Sequence, residues 1–386
     1  MMARVIIPYV LLILAAFLFF DWRFWRKRGW MVRLLALVPA LGLLAYTANL
    51  ALERDYFPDD ISKLNVYLFF FGLIVVPMAA FALCSLVGLG IAKLFRKRRN
   101  YGEPVGVALA LFSLYVLFYG TFVGFSKLEV RHVDLAFSDL PPAFDGYRIV
   151  LFSDVHVGSY TGGREQILQR AIDSINAQHP DLVAFAGDLQ NKVPQEIEPH
   201  VKVLKKIKAP DGVFSVLGNH DYAEYTDAPY EVEYENMQRI VSIQQRELGW
   251  TVLVNSRRYV HRGQDSIVIA GMENDGEGRF PQLGDVGYAL YGVSRQAFVV
   301  MLEHDPTAWR RKILPKCHAQ LTLSGHTHAM QFSLFGWTPM SLRHREVEGL
   351  YRMGERAIYV SKGLGGVIPM RFGATGEIVV INLKKK

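Results

Sequence analysis

The chain has 386 residues, with 43 Lys and Arg against 36 Asp and Glu, and a formal net charge of +7. That charge is unevenly placed: residues 1–127 hold 14 basic and 6 acidic side chains, residues 128–386 hold 29 and 30. A nucleic-acid-binding module needs its basic excess on the part that does the binding, so the partition argues against nucleic acid as a partner. Two cysteines, Cys84 and Cys317, exclude a disulfide within residues 128–386 and leave the redox compartment open.

Four uncharged apolar runs come first, at 5–20, 34–52, 64–92 and 104–126. About 20 apolar residues cross a bilayer core as a helix. The first run falls short at 16 residues. It is not a cleaved signal, because Arg23, Arg26, Lys27 and Arg28 follow it rather than precede it. Trp22, Trp25 and Trp30 suit the headgroup region. Buried core helices are the competing reading, and four such runs in series disfavour it. Residues 21–33 carry five Lys or Arg, as do residues 93–99, whereas loop 53–63 carries two beside Glu53, Asp55, Asp59 and Asp60. The positive-inside rule then puts the chain after residue 126 on the extracytoplasmic side of the cytoplasmic membrane. A bend at Pro77, making the third run re-entrant, would reverse this. The expected division is a four-span region, 1–127, and a soluble domain, 128–386.

In the soluble part, residues 128–137 alternate like a strand, and 164–178 place Ile167, Leu168, Ala171, Ile172 and Ile175 on one helical face. Five short apolar runs end in polar clusters. Run 147–152 leads to Asp154 and His156, 182–186 to Asp188, 213–217 to Asn219, His220 and Asp221, 298–302 to His304, and 319–323 to His326 and His328. Strands alternating with helices imply an α/β domain with its site at the carboxyl ends of the strands.

Singly, each cluster is weak: Asp-x-His arises by chance, and a lone histidine is more often a satisfied core or surface residue. Together they hold five of the eleven histidines, each just after an apolar strand, which a structural origin does not explain. Mixed Asp, Asn and His donors suit Mn²⁺, Fe²⁺ or Zn²⁺ better than Ca²⁺. They are too many for one tetrahedral ion. Two divalent ions roughly 3.5–4 Å apart would use them all, with a hydroxide between the ions attacking phosphorus. Cys-x-x-Cys, Walker-type and Gly-x-Ser-x-Gly patterns are absent. Gly162-Gly163 and the Gly-Leu-Gly-Gly block at 363–366 read as turn glycines.

With these blocks in this order, residues 147–382 resemble the calcineurin-like metallophosphoesterase superfamily. The resemblance implies a two-sheet sandwich flanked by helices. It also implies Asp154, His156 and His328 on one metal ion, Asn219, His304 and His326 on the other, Asp188 bridging, and His220 over the phosphate as acid or transition-state stabiliser. Residues 144–150 and the block 363–366 are similar to the bacterial membrane-associated branch that includes YkuE and YaeI. That branch often has Gly-Gly-Gln after the last histidine, where this chain has Ala329-Met330-Gln331. The departure bears on the substrate pocket rather than on the ligands.

The leading expectation is a membrane-anchored phosphoesterase acting on phosphate mono- or diesters, lipid-linked phosphates among them, with the lipid bilayer as its other partner. The alternatives are a pyrophosphatase of nucleotide-linked lipid precursors, whose substrates are cytoplasmic, and a non-catalytic metal-binding membrane scaffold. A decayed site would have lost a ligand, and none is missing. Substrate, metal identity and oligomeric state stay open at this stage.

Overall fold

The computed structural model describes residues 2–52, 61–226 and 228–386. The chain clusters into two compact units, Met1–Val123 and Gly124–Lys386.

The first unit consists of α1 (Met2–Phe20), α2 (Trp30–Leu52), α3 (Ile61–Leu94) and α4 (Gly102–Phe122). Each belongs to a stretch long and apolar enough to cross a membrane. The short first run reaches this length because the helix continues past Phe20 through a π-turn at Asp21–Trp25, giving a 20-residue stretch from Ile6 to Trp25. Helix α3 runs unbroken through Pro77, so the third run is not a re-entrant pair. Proline removes one backbone donor but need not break a helix whose other groups remain paired. Charged side chains at the ends of these helices find partners: Arg23 meets Glu103 at 2.6 Å and Arg33 meets Asp21 at 2.7 Å. Of the acidic loop at 53–63, residues 53–60 lie outside the described residues.

The second unit holds twelve strands among its described residues: β1 (Leu128–Phe137), β2 (Arg148–Phe152), β3 (Leu182–Phe185), β4 (Val213–Ser215), β5 (Thr251–Val252), β6 (Ser256–Arg262), β7 (Asp265–Gly271), β8 (Phe298–Leu302), β9 (Leu321–Ser324), β10 (Gly349–Met353), β11 (Arg356–Val360) and β12 (Gly376–Lys385). They form two six-stranded sheets, ordered β1-β12-β2-β3-β4-β5 and β10-β11-β9-β8-β7-β6. In the first sheet β2, β3, β4 and β5 run parallel and β12 is antiparallel to β2; in the second β7, β8, β9 and β11 run parallel.

Successive side chains on a strand point to opposite faces, and this pleat builds the sandwich. Ile149 and Leu151 of β2 pack with Val300 and Leu302 of β8 and Leu321 and Leu323 of β9, between the sheets. Val150 and Phe152 turn the other way, onto Leu168, Ile172 and Ile175 of α5 (Glu165–Ala177). On the outer face of the second sheet, Val299 and Met301 pack against Trp309 and Ile313. The fold is therefore a two-sheet sandwich flanked by helices, as the sequence implies.

The hairpins β6–β7 and β10–β11 were not anticipated from the sequence. Strand β6 reads Ser-Arg-Arg-Tyr-Val-His-Arg and lies half-exposed at a sheet edge, so it lacks the apolar run that marks the central strands. Charged side chains suit such an edge, which they protect from pairing with other chains.

Candidate metal centre

The five central strands β2, β3, β4, β8 and β9 all deliver their polar clusters to one place. Asp154 and His156 follow β2, Asp188 follows β3, Asn219 and His220 follow β4, His304 follows β8, and His326 and His328 follow β9. All eight residues singled out in the sequence meet there.

Two overlapping groups of donors result. One ligand atom each from Asp154, His156, Asp188 and His328 lie within 4.8 Å of one another. Within this group His328 Nε2 is 3.3 Å from Asp154 Oδ1, and His156 Nε2 is 3.5 Å from Asp188 Oδ2. In the other group, Asn219 Oδ1 is 3.2 Å from His304 Nε2 and 2.8 Å from His326 Nδ1. Asp188 Oδ2 belongs to both, because it also lies 3.2 Å from His304 Nε2.

Neighbouring groups aim these atoms. Nδ1 of His304 faces the Ala186 carbonyl at 2.7 Å and Nδ1 of His156 faces the Gln190 carbonyl at 3.1 Å. A carbonyl can only accept, so each Nδ1 carries the proton, and in the neutral ring Nε2 is left with its lone pair turned into the site. Asn219 Nδ2 donates to the Tyr225 hydroxyl at 2.8 Å, which turns the amide oxygen toward His304 and His326. Asp188 Oδ1 accepts the His220 backbone N–H at 2.9 Å, leaving Oδ2 for the histidines.

The loops carrying these residues are bent into unusual conformations. Asp154, His156, Asp188, His326 and His328 all have positive φ, between 49° and 72°. Left-handed backbone costs a non-glycine residue roughly 1–2 kcal/mol, and such residues concentrate at functional sites. Gly187 sits among them at φ +92°; a Cβ there would lie 2.6 Å from Gly218 N and 2.8 Å from His304 Nδ1. Ala329, Met330 and Gln331 extend the left-handed run at φ 48°, 53° and 55°. These are the positions where the resembling branch often has Gly-Gly-Gln. The bend persists here with side chains present, held by Thr338 Oγ1 donating to the Ala329 carbonyl and by Gln331 Nε2 donating to the carbonyls of Ile368 and Met370.

Burial and mutual charge decide the electrostatics. Burial pushes the His156 ring down to about 3 and the His328 ring well below its ordinary value, so both are neutral donors at pH 7. Burial would raise the Asp188 carboxyl, but the rings of His304 and His220 beside it outweigh burial and hold it low. Burial would lower the His304 ring, but Asp188, Asp154 and the Ala186 carbonyl together outweigh burial and lift it to about 10. A site that sets buried carboxyl groups against the neutral His156 and His328 rings, and that charges His304 to balance Asp188, is one that fits a cation, since unpaired buried charge is costly. The donor set of carboxylate oxygen, amide oxygen and imidazole nitrogen fits a pair of divalent ions.

His220 and residues without a sequence-assigned role complete the surroundings. The Asp221 carboxylate accepts the backbone N–H groups of Asp188, Leu189 and Gly218 at 2.9, 3.0 and 2.9 Å, tying the β3 loop to the β4 loop. His220 faces the Asn191 carbonyl through Nδ1 at 2.5 Å, and its ring stacks on Tyr225 with centroids 4.4 Å apart. Asp305 Oδ2 lies 3.4 Å from His326 Nε2, on the side of the ring away from Asn219. Asp221 and Asp305 could have been suspected, since each directly follows a singled-out histidine. Asn191 and Tyr225 lie in polar loops where nothing in the sequence marks them.

Residues 147–330 match the family model described as calcineurin-like phosphoesterase. The chain is 33% identical over 312 residues to a transmembrane protein with metallophosphoesterase domain from Danio rerio, covering 76% of this chain and 68% of that one. It is 32% identical over 276 residues to metallophosphoesterase YkuE of Bacillus subtilis, covering 69% of this chain and 89% of the relative. Among solved structures, TT1561 of Thermus thermophilus aligns with 56% of this chain and 90% of its own at 13% identity and a TM-score of 0.36. The family uses a dinuclear metal centre and acts on phosphoester bonds, and the chain belongs to it: it is a calcineurin-like metallophosphoesterase, a metal-dependent phosphoester hydrolase.

Proposed function

We propose that residues 128–386 form the catalytic domain of a membrane-anchored two-metal phosphoesterase and that residues 1–127 anchor it by four spans. The observation that carries this reading is the position of Asp188 Oδ2, 3.5 Å from Nε2 of His156 and 3.2 Å from Nε2 of His304, where one carboxylate oxygen serves both donor groups. On this reading Asp154, His156 and His328 would hold one ion and Asn219, His304 and His326 the other, with Asp188 shared between them. Divalent ions there supply a nucleophile from water at neutral pH and positive charge for the phosphoryl oxygens. His220 is held by Asn191 and Tyr225 so that only its Nε2 end is left to exchange a proton with substrate, as general acid or as a donor to the transition state. Asp154, His156, Asp188, Asn219 and His304 are buried, whereas His220, His326 and His328 reach the surface from which substrate would enter.

Lipid-linked phosphate esters on the extracytoplasmic side of the membrane are the proposed substrates. The anchor favours them by holding the domain near a bilayer, and the basic loops 21–33 and 93–99 favour that side. Screening the full chain in nanodiscs with Mn²⁺ against phosphomonoesters, phosphodiesters and phospholipids tests the reading. Turnover of a phospholipid or lipid-linked phosphate supports it; turnover of nucleotide-linked precursors alone would replace it.

A further inference from the structure

The loop that follows His328 carries an apolar tip that the catalytic unit does not use. Residues 329–342 contain no charged side chain. Within them Leu334 and Trp337 exchange both backbone hydrogen bonds, 2.8 and 3.0 Å, around a two-residue reversal of Phe335 and Gly336 with φ of 53° and 80°. Glycine, asparagine or aspartate ordinarily occupies the first of these positions. Here it is a phenylalanine, wholly exposed. Met330, Trp337, Leu342 and Ile368 are exposed apolar side chains on the same loop or on the segment it is bonded to through Gln331. A backbone strain and an exposed aromatic ring at one position gain nothing from packing within the unit.

The charge along this stretch of the chain has one sign. From Pro306 to Arg345 the chain has no Asp or Glu, and Arg343 and Arg345 are exposed just beyond Leu342. Aromatic and aliphatic side chains at a tip with arginines behind them match the headgroup region of a bilayer, where rings sit at the polar–apolar boundary and cations meet lipid phosphates. The same chain supplies four stretches apolar enough to cross that bilayer. Met330 is two residues from His328, so whatever seats the tip also lies close to the metal-ligand loop.

We infer that the Phe335–Trp337 hairpin, with Met330, Leu342 and Ile368 around it, docks into an anionic lipid surface and brings the centre to phosphoesters at the headgroup level. This deepens the proposed function and rests on it for the substrate, but not for the docking. The test uses the full chain in nanodiscs containing anionic phospholipid, with Cys84→Ala and Cys317→Ala, and a fluorophore on Phe335→Cys or, as the comparison, on Tyr291→Cys. The 335 label is expected to be quenched by nitroxide lipids and shielded from aqueous iodide, and the 291 label the reverse. A 335 label open to iodide overturns the inference. So does one shielded from iodide yet untouched by nitroxide lipids, which would put a protein surface over the tip. In parallel, the Phe335→Asp, Trp337→Asp variant is expected to keep wild-type turnover of a water-soluble chromogenic diester while hydrolysis of a phosphoester carried in the disc falls by about an order of magnitude. Absence of chromogenic turnover in the parent protein would sink the phosphoesterase reading and leave the quenching result standing.

Discussion

Nε2 of His156 and Nε2 of His328 face each other across 3.3 Å, although 172 residues separate them in the chain. His156 Nδ1 is committed to the Gln190 carbonyl, and burial keeps both rings neutral. The His156 Nε2 lone pair, set beside the neutral His328 ring and the carboxyl groups of Asp154 and Asp188, makes a cation the natural occupant. Chelator-treated protein should therefore lose hydrolysis of a chromogenic phosphodiester and regain it with Mn²⁺ or a similar ion. A ligand that binds only the folded state raises its stability, so the melting temperature should rise with the restored metal. Full activity in metal-free protein would contradict the mechanism.

His220 is placed among the ligands but is bonded to Asn191 and stacked on Tyr225. His220→Ala should keep its metal and lose roughly 10²–10⁴-fold in kcat, the range for a general acid. Metal analysis showing an emptied site in this variant would mean that the ring is a ligand instead.

Asp221 should matter through the loops it ties together. Asp221→Asn replaces one acceptor oxygen by a donor that faces backbone N–H groups of Asp188 and Gly218 or of Leu189. Leaving such buried donors unpaired costs about 2–3 kcal/mol, or roughly 5–10 °C in Tm for a unit of this size. Metal affinity should fall about 10–100-fold, as for other groups that orient ligands. An unchanged Tm with normal affinity, read by thermal shift and metal titration, would show that the loops do not depend on it.

The charge pattern of the loops predicts sidedness. In a bacterial host, protease added to spheroplasts should cut the catalytic domain and spare the loop at 93–99. A reporter fused after Lys386 that works only in the cytoplasm would reverse the assignment and favour nucleotide-linked precursors as substrates.

Much of this was legible in the sequence because the site sits on central strands. The runs at 182–186 and 298–302 are buried on both faces and read as unbroken apolar segments, those at 147–152 and 319–323 are interrupted only by Arg148, Gln320 and Thr322, and each ends one or two residues short of its candidate ligand. Strand β1 was legible for the opposite reason, its alternation matching Leu128–Phe137. The edge hairpin β6–β7 and the fourteen-residue loop after His328 were not, since exposed strands and turns obey local geometry that apolar periodicity does not report. The left-handed bend at Ala329-Met330-Gln331 was hidden further, because none of its residues is a glycine.

The central claim is that Asp188 joins two ions, and counting metal in Asp188→Asn tests it most directly. Loss of one oxygen's charge weakens both donor groups at once, because Oδ2 faces His156 and His304 together. Elemental analysis of the purified wild type is expected to give about two ions per chain, and the variant well under one, with no measurable turnover. A variant that keeps both ions and turns over near the wild-type rate would contradict the account.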